Sequence, residues 1–299
     1  MIKNMAEPLV SIIIPTFNHA HFLRAALDSI CAQTFFDWEA IVVNNFSKDD
    51  TIDLVESYSD PRIRLVNFAN NGIIAAARNC GLSLTQAPFV AFLDSDDFWY
   101  PEKLQRCYDK LLQGYDLVCH AEVWVGPGKR RRTLQYGPEA RATYESLLLE
   151  GNCISTSAVV VRRECLERAG GFSTQPEFVT AEDYELWLKL ARDHNRIGFV
   201  SEVLGEFLIH DSNQSRADMR NMKAVMAVFE HHRSAFEGHA SAWRLRRREA
   251  VILYSGARGM QNSGQHKQAW PIFFRALRHF PWVPRFYAAM LLNALGRRL

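Results

Sequence analysis

The chain has 299 residues, of which 48% are hydrophobic and 23% charged, with 16 Gly, 11 Pro and 6 Cys. These proportions are ordinary for a globular protein, and they exclude a disordered chain, a collagen-like chain and a disulfide-stabilised miniprotein. No apolar run reaches the roughly 18 residues of a membrane span, and because the short apolar run near the N-terminus resembles a strand, we expect no export signal. The cysteines are scattered, without a CxxC pair or a histidine spacing suited to zinc. We therefore expect reduced thiols in a cytoplasmic protein of about two domains.

The overall charge of +2 conceals an uneven distribution along the chain. The segment from Arg220 to Leu299 contains 14 Lys and Arg against three Asp and Glu, a net charge of +11, so the part of the chain before Arg220 carries −9. A basic tail on an acidic body favours an anionic surface as the partner of the tail.

Strand-like and helix-like segments alternate from the N-terminus to Leu112. Apolar, β-branched runs predict strands at 10–15, 39–44, 62–67 and 89–93. Helical patterns follow Asn18, Ser47, Ile73 and Pro101. This alternation predicts a mostly parallel sheet, whose ligands bind beyond the carboxyl ends of the strands. Polar clusters at 16–18, 44–47 and 94–97 should meet at that edge.

The second half of the chain is less regular. It contains predicted strands at 117–125 and 155–161, a helix at 181–192 and an extended segment at 199–209 that precedes His210. The basic segment 126–137, with its Gly and Pro residues, is interpreted as a loop. From about Asn221 to the end, the pattern is helical.

An acidic turn follows the fourth predicted strand. Asp94, Asp96 and Asp97 would repel one another, and a cation is one reason to group them. Carboxylate oxygens at a strand end suit Mg²⁺ or Mn²⁺. The alternative is an acidic turn that only caps the helix after Pro101.

Several motifs occur in order along the chain: VSIIIPTFN, WEAIVVNNFSKDDT, DPRIRL, AARNCGL, AFLDSDDFWYPEKL, GGF, AEDYELWLKLA and FLIH. Together they resemble family 2 glycosyltransferases, inverting enzymes with the GT-A fold, between Pro8 and His210. The resemblance implies an α/β fold: a Rossmann-like nucleotide-diphospho-sugar transferase sheet with helices on both faces, here with a helical C-terminal extension. It implies a nucleotide-sugar-binding half at 8–112, an acceptor-binding half at 113–215 and a basic helical region at 216–299.

The resemblance also implies roles for individual residues. Asp96 of the DxD motif would bind Mn²⁺ or Mg²⁺, and His210 would complete the metal site. Asp183 would be the general base. The remaining matches would bind the nucleotide sugar: Pro15, Thr16, Asn18, Asn45, Arg78, Asp94 and Ser95.

Simpler explanations compete with several of these roles. Asn18 is also a suitable helix N-cap, and Asp183 suits the first turn of a helix. Arg78 would serve equally as a solvated charge on a helix. An isolated histidine such as His210 is more often structural than a ligand.

Asn44-Asn45 departs from the family pattern, which commonly has two Asp there. The second Asp typically accepts a hydrogen bond from a pyrimidine N3–H. Asn45 can accept through its side-chain carbonyl, but as a neutral and weaker partner, and its NH₂ group would suit a different base. The nucleotide of the donor therefore stays open, with a UDP-sugar favoured.

The expected activity is metal-dependent, inverting transfer from a nucleoside diphosphate sugar to a saccharide or lipid-linked hydroxyl, in cell-surface polysaccharide or glycolipid synthesis. A nucleotidyltransferase and a non-catalytic binding module are the alternatives. The basic segment 243–250 lacks nucleic-acid-binding motifs, so nucleic acid is not expected as a partner. The aromatic and Arg-rich segment 270–299 favours either peripheral contact with an anionic membrane or packing on the rest of the chain.

Overall fold

The computed structural model describes residues 7–210, 219–236 and 241–297. The chain divides into two compact units. The sheet unit contains Met1–Tyr144, Cys153–Thr174 and Leu186–His210, and the helical unit contains Glu145–Asn152, Gln175–Glu185 and Asp211–Leu299. The expected boundary between residues 215 and 216 lies outside the described residues.

The sheet unit is built on one nine-stranded mixed sheet. Its strands are β1 (Val10–Thr16), β2 (Trp38–Asn44), β3 (Ile63–Asn67), β4 (Phe89–Phe92), β5 (Phe98–Trp99), β6 (Leu117–Gly126), β7 (Arg130–Leu134), β8 (Val159–Arg162) and β9 (Ile197–Leu208). The order is β3-β2-β1-β4-β8-β6-β9-β5, with β7 paired to β6. The first four strands are parallel, as predicted, whereas β8 is antiparallel to both β4 and β6.

Helices cover both faces of the parallel part of the sheet. The helices between Ala20 and Arg192 are α1 (Ala20–Cys31), α2 (Thr51–Ser57), α3 (Ile74–Leu84), α4 (Lys103–Leu111), α5 (Tyr144–Glu150), α6 (Arg163–Arg168) and α7 (Glu182–Arg192). Ile12 and Ile14 belong to the same buried cluster as the apolar residues of α1 and α4. Ile13 points to the opposite face, where a Cβ on Gly81 of α3 would lie only 2.5 Å from its Cγ2 atom. Alternation along β1 thus buries the strand between two helical layers.

The helical unit confirms the predicted C-terminal extension. It contains α8 (Met219–Phe236), α9 (Ala242–Asn262), α10 (His266–His279) and α11 (Pro284–Ala294). Leu253, Phe273 and Phe286 are buried in it, each at most 1% exposed. Among the described helices, none combines the length and the hydropathy needed to cross a bilayer.

The structure corrects three sequence predictions. The predicted loop at 126–137 contains β7, whose residues are almost all exposed and so show no apolar alternation. The strand predicted at 155–161 begins only at Val159, after a turn at Thr156–Ala158. The second helix begins at Thr51 rather than after Ser47, because the Ser47 hydroxyl instead donates to Asn44 Oδ1 at 2.6 Å.

Candidate active site

The three polar clusters meet at the carboxyl ends of β1, β2 and β4, as the parallel topology predicts. The Asn45 N–H donates to the Thr16 carbonyl at 3.0 Å, which joins the first two clusters. His19 follows the first cluster, and its Nδ1 atom lies 2.9 Å from the Ser95 hydroxyl of the third. The loops after three adjacent strands therefore form one polar edge.

The first acid of the DxD motif is held by a buried arginine. Arg78 is 3% exposed, and its guanidinium donates to Asp94 Oδ1 at 2.7 Å. The same guanidinium lies 5.3 Å from the ring centre of Phe172, whose backbone Asn79 holds through two hydrogen bonds. This burial is incompatible with the alternative of a solvated helix charge. It also explains why the GGF segment accompanies the motif.

The second acid of the motif contacts His210. Asp96 Oδ2 and His210 Nε2 lie 2.8 Å apart, and both side chains are mostly buried. The imidazole stacks on Phe22, with ring centres 4.6 Å apart. Burial and the nearby Asp94 carboxylate raise the pKa of Asp96, whereas His210 opposes the rise.

Asp97 lies deeper than the two acids of the motif. Its Oδ1 atom accepts a hydrogen bond from the Leu208 N–H at 3.1 Å, which ties the acidic turn to β9. Its Oδ2 atom has no hydrogen-bond partner among the described residues. Burial, followed by repulsion from Asp96 and Asp94, raises the pKa of Asp97 well above its ordinary value. Asp97 therefore acts as a buried support of the turn.

The residues at this edge fit a divalent cation. Asp94 and Asp96 offer carboxylate oxygens and His210 offers an imidazole nitrogen, a donor set that suits Mg²⁺ or Mn²⁺. The repulsion between Asp94 and Asp96 is the kind that a bound cation relieves. Arg78 pairs with Asp94, whereas Asp96 and His210 direct a carboxylate oxygen and an imidazole nitrogen at each other, and these are the two atoms that could share a cation.

The first polar cluster lies at the end of β1. Pro15 and Thr16 are buried, and the Thr16 hydroxyl has no partner among the described residues. Asn18 adopts a left-handed conformation with φ 51°, and its Oδ1 atom accepts a hydrogen bond from the Lys48 N–H at 2.8 Å. Asp49, rather than Asn18, accepts from the first N–H of α1. Asn18 thus joins two loops of the polar edge and does not cap the helix.

The unusual Asn44-Asn45 pair has two separate functions in the fold. Asn44 is fully buried, donates to Asn67 Oδ1 at 2.8 Å and accepts from Ser47. Asn45 is half-buried, and its Oδ1 atom accepts from the Asn70 N–H at 3.0 Å. With its carbonyl engaged in this way, Asn45 offers its NH₂ group, a donor, to any further partner.

The acidic pair at the start of α7 belongs to the helical unit. Glu182 Oε2 accepts a hydrogen bond from the Thr180 N–H at 2.8 Å, so this side chain stabilises the turn before its own helix. Asp183 instead lines a cavity of about 420 Å³. Of the two acids, Asp183 lines this cavity and Glu182 does not.

The sequence analysis assigned no role to several polar residues, because no local pattern shows that their side chains are buried together. His19 is one, and burial lowers the pKa of its imidazole. A buried cluster of Lys103, His120 and Glu122 is another. Burial lowers the pKa of Lys103 to about 7 and raises the pKa of Glu122 to about 7. Only the pairing of α4 with β6 in the folded sheet unit brings these groups together.

The helical unit also contains a cluster that the sequence did not indicate. Glu185, His231 and His232 place one potential metal-ligand atom each within 4.8 Å of the others. No Cys or His spacing signals this group, because Glu185 comes from α7 and the two histidines from α8.

Comparison with known proteins establishes the class of this fold and site. Residues 11–170 match the family described as Glycosyl transferase family 2. The chain therefore belongs to the family 2 glycosyltransferases, and its α/β sheet has the GT-A architecture that the motifs implied.

One relative and two solved structures illustrate the similarity. The chain is 34% identical over 200 residues to the UDP-Glc:alpha-D-GlcNAc-diphosphoundecaprenol beta-1,3-glucosyltransferase WfgD of Escherichia coli, a match that covers 64% of this chain and 73% of WfgD. The fold resembles S. aureus TarS 1–349 in complex with UDP-GlcNAc, with a TM-score of 0.67, 20% identity and coverage of 96% and 86%. It also resembles the mannosyltransferase PcManGT of Pyrobaculum calidifontis in complex with GDP-Man and Mn²⁺, with a TM-score of 0.62, 20% identity and coverage of 97% and 85%.

Proposed function

We propose that this glycosyltransferase is metal-dependent and inverting, and that it transfers a sugar from a nucleoside diphosphate sugar to a hydroxyl acceptor. The observation that carries the proposal is the acidic turn, where Arg78 holds Asp94 and His210 contacts Asp96. A divalent cation held by Asp96 and His210 would neutralise charge that develops on the leaving diphosphate. The Mn²⁺ in the structure of PcManGT supports this cofactor.

The protein's own residues supply the rest of the proposed chemistry. Arg78 fixes the orientation of the Asp94 carboxylate, which would contact the ribose or the sugar of the donor together with Ser95. Pro15, Thr16, Asn18 and Asn45 would contact the nucleoside. Asp183 would accept the proton of the acceptor hydroxyl, and attack opposite the leaving group would invert the anomeric centre.

The donor and acceptor classes are suggested by the relatives. WfgD uses a UDP-sugar and an acceptor linked to diphosphoundecaprenol, and TarS binds UDP-GlcNAc. We favour a UDP-sugar and a lipid-linked saccharide here, in the synthesis of a cell-surface polysaccharide. Asn45 is the reason to include GDP-sugars in any assay, because its NH₂ group suits a base that presents an acceptor atom.

Peripheral contact with the inner face of the plasma membrane is part of the proposal. Tyr287 and Leu291 on α11, and Leu295 directly after it, recur every four residues and are 52%, 63% and 61% exposed. Trp282, just before this helix, is 81% exposed. An exposed apolar stripe in a basic region is typical of a helix that lies in the membrane interface.

The test is a transfer assay with a panel of UDP-, TDP- and GDP-sugars, Mn²⁺ or Mg²⁺, and a lipid-diphosphate-linked saccharide. Transfer that retains the anomeric configuration or that persists in EDTA contradicts the proposal. Release of inorganic pyrophosphate from a nucleoside triphosphate would instead favour a nucleotidyltransferase. Donor binding without turnover would favour a non-catalytic module.

A further inference from the structure

The cavity that contains Asp183 lies wholly within the helical unit. Its volume of about 420 Å³ is in the range of sites that bind small molecules. Four stretches of chain line it: the end of α5, the start of α7, and parts of α8 and α9. Arg248 is the only Lys or Arg among the described lining residues, whereas Glu150 and Asp183 contribute carboxylates.

Arg248 is buried without a counter-charge. The residue is 6% exposed, and its Nη2 atom donates to the Tyr184 hydroxyl at 3.3 Å. It forms no ion pair with any residue in the described part of the chain, and its Nε atom has no hydrogen-bond partner there. A buried cation in this state is costly unless an anion joins it.

The charges of the other described arginines near Arg248 are paired, hydrogen-bonded or solvated. Arg244 pairs with Glu145, and Arg258 donates to Gln261. Arg246 and Arg247 are exposed to solvent. Arg248 therefore differs from its neighbours on α9 in being both buried and unpaired.

Gly151 keeps space open beside this guanidinium. The glycine has φ +107°, a conformation that other residues rarely adopt. A Cβ at this position would lie 2.9 Å from Arg248 Nη1. Any larger residue would push the guanidinium out of its position in the cavity.

We infer that this cavity binds the phosphate or diphosphate group of the acceptor, with Arg248 as the anchoring residue. The inference rests on the proposed function, because Asp183, the proposed base, lines the same cavity. A guanidinium presents two parallel N–H groups that match a phosphate. An acceptor with both an anion to anchor and a hydroxyl to deprotonate would match Arg248 and Asp183 together.

Binding is tested directly by calorimetric titration of inorganic pyrophosphate and farnesyl diphosphate into the full-length chain in EDTA. EDTA removes the metal on which donor binding is proposed to depend. Arg248→Met keeps the apolar stem and removes the charge, and it should weaken pyrophosphate binding at least tenfold. Arg247→Met is the matched control, because it makes the same change one residue earlier at an exposed position, and its affinity should equal that of the parent.

A second variant guards against misfolding of Arg248→Met. Asn152→Asp keeps the shape of the side chain but adds a carboxylate to the lining of the cavity. It should weaken pyrophosphate binding several-fold. Thermal unfolding gives an independent readout: pyrophosphate should raise the Tm of the parent and of Arg247→Met, but not of Arg248→Met.

The outcomes separate this inference from the proposed function. Equal pyrophosphate affinity in Arg248→Met and the parent overturns the inference, as does the absence of pyrophosphate binding by the parent. Binding of glucuronate instead of pyrophosphate overturns the phosphate assignment. Arg248-dependent binding in a protein that transfers no sugar supports an anion site and contradicts the glycosyl transfer. If Arg248→Met transfers sugar with an unchanged KM for a diphosphate-linked acceptor, the result supports the glycosyl transfer and contradicts the anion site.

Discussion

Asp96 is the residue on which the proposed metal chemistry depends most directly. Asp96→Asn keeps the shape of the side chain but removes the charge that would hold the cation and that faces His210 at 2.8 Å. We expect kcat/KM to fall by about a hundredfold or more, since lost electrostatic stabilisation at such sites costs about 3 kcal/mol.

Steady-state kinetics with and without EDTA check this expectation. Asp53→Asn, at an exposed position on α2, is the control and should behave as the parent. Full activity of Asp96→Asn, or activity of the parent that is insensitive to EDTA, would remove the case for a metal.

The two acids at the start of α7 should respond differently to substitution. Asp183→Asn should lower kcat by about 10²–10⁴ with donor affinity near normal, because a missing general base slows the chemical step. Glu182→Gln should act mainly on stability, since Glu182 accepts from the Thr180 N–H. Measuring kcat and the unfolding midpoint for both variants distinguishes a catalytic role from a structural one. A large fall in kcat in Glu182→Gln alone would mean that Glu182, not Asp183, is the base.

Asn45 should control which nucleotide binds. Its carbonyl already accepts from the Asn70 N–H, so it has one lone pair left for the N3–H of a uracil and is a neutral, weaker acceptor, while its NH₂ group can only donate. Asn45→Asp replaces that donor with an acceptor and adds charge, and it should tighten UDP binding by about 1 kcal/mol, or several-fold. Calorimetry with UDP and GDP is the measurement. Stronger GDP than UDP binding in the parent, with UDP affinity unchanged in the variant, would show a pocket adapted to guanosine.

Glu122 should make stability depend on pH. Its Oε2 atom accepts from the Tyr136 hydroxyl at 2.7 Å, and burial raises its pKa from 4.5 to about 7. The folded state therefore binds this proton more tightly than the unfolded state, and stability is lost as pH rises from about 4.5 to 7. Glu122→Gln removes that loss.

Urea denaturation of the parent and of Glu122→Gln at pH 5 and pH 7 measures the effect. Between these values, the unfolding free energy of the variant should rise relative to the parent by about 2 kcal/mol. Lys103 has the opposite influence, mainly from about pH 7 upward, because its lowered pKa of about 7 makes the unfolded state the stronger proton binder there. Parallel pH profiles for the two proteins would mean that Glu122 stays ionised in the folded state.

At the scale of elements, the sequence predicted the parallel half of the sheet and the edge where its loops meet. Apolar β-branched runs and short helices specify β1 to β4 locally, and the carboxyl ends of parallel strands must converge. β7 was missed because its exposed arginines show no alternation. No local sequence pattern shows that Lys103 and Glu122 are buried near each other, because their proximity arises only when the sheet folds.

The helix α11 presents an apolar face to solvent and is the element that would contact the membrane. Leu291→Asp with Leu295→Asp should abolish binding to vesicles that contain phosphatidylglycerol, since an apolar stripe cannot enter the interface with two added charges. The unmodified chain should bind less at high salt, because exposed charges are screened over roughly 8 Å at physiological ionic strength.

Co-sedimentation with vesicles at low and high salt measures this binding. Leu112→Asp is the matched control, because Leu112 is 63% exposed but lies in the sheet unit. If the parent stays in the supernatant at low salt, the exposed apolar face of α11 does not bind anionic membrane. Transfer to a soluble acceptor should survive the double substitution.

In the molecule as a whole, the basic part of the chain largely coincides with the last segment of the helical unit. The basic residues concentrate in the part of the chain that forms α8 to α11, whereas the acidic turn lies in the sheet unit. The uneven charge visible in the sequence thus anticipates the division of the chain into two compact units. What it could not anticipate is the buried, unpaired state of Arg248, which depends on helices that are distant in sequence.

The change of strand direction after β4 has a consequence for the order of folding. The four parallel strands β1 to β4 all end by Phe92, whereas β8 and β9, the partners of β4 and β6, begin only at Val159 and Ile197. The pairs among β1 to β4 can therefore form first, as the polypeptide leaves the ribosome, while the rest of the sheet waits for residues synthesised much later. The acidic turn lies at the junction of the two halves, and Asp97 acquires its hydrogen bond from Leu208 only when β9 arrives. The nascent chain would therefore form the loops that follow β1 and β2 before it completes its acidic turn.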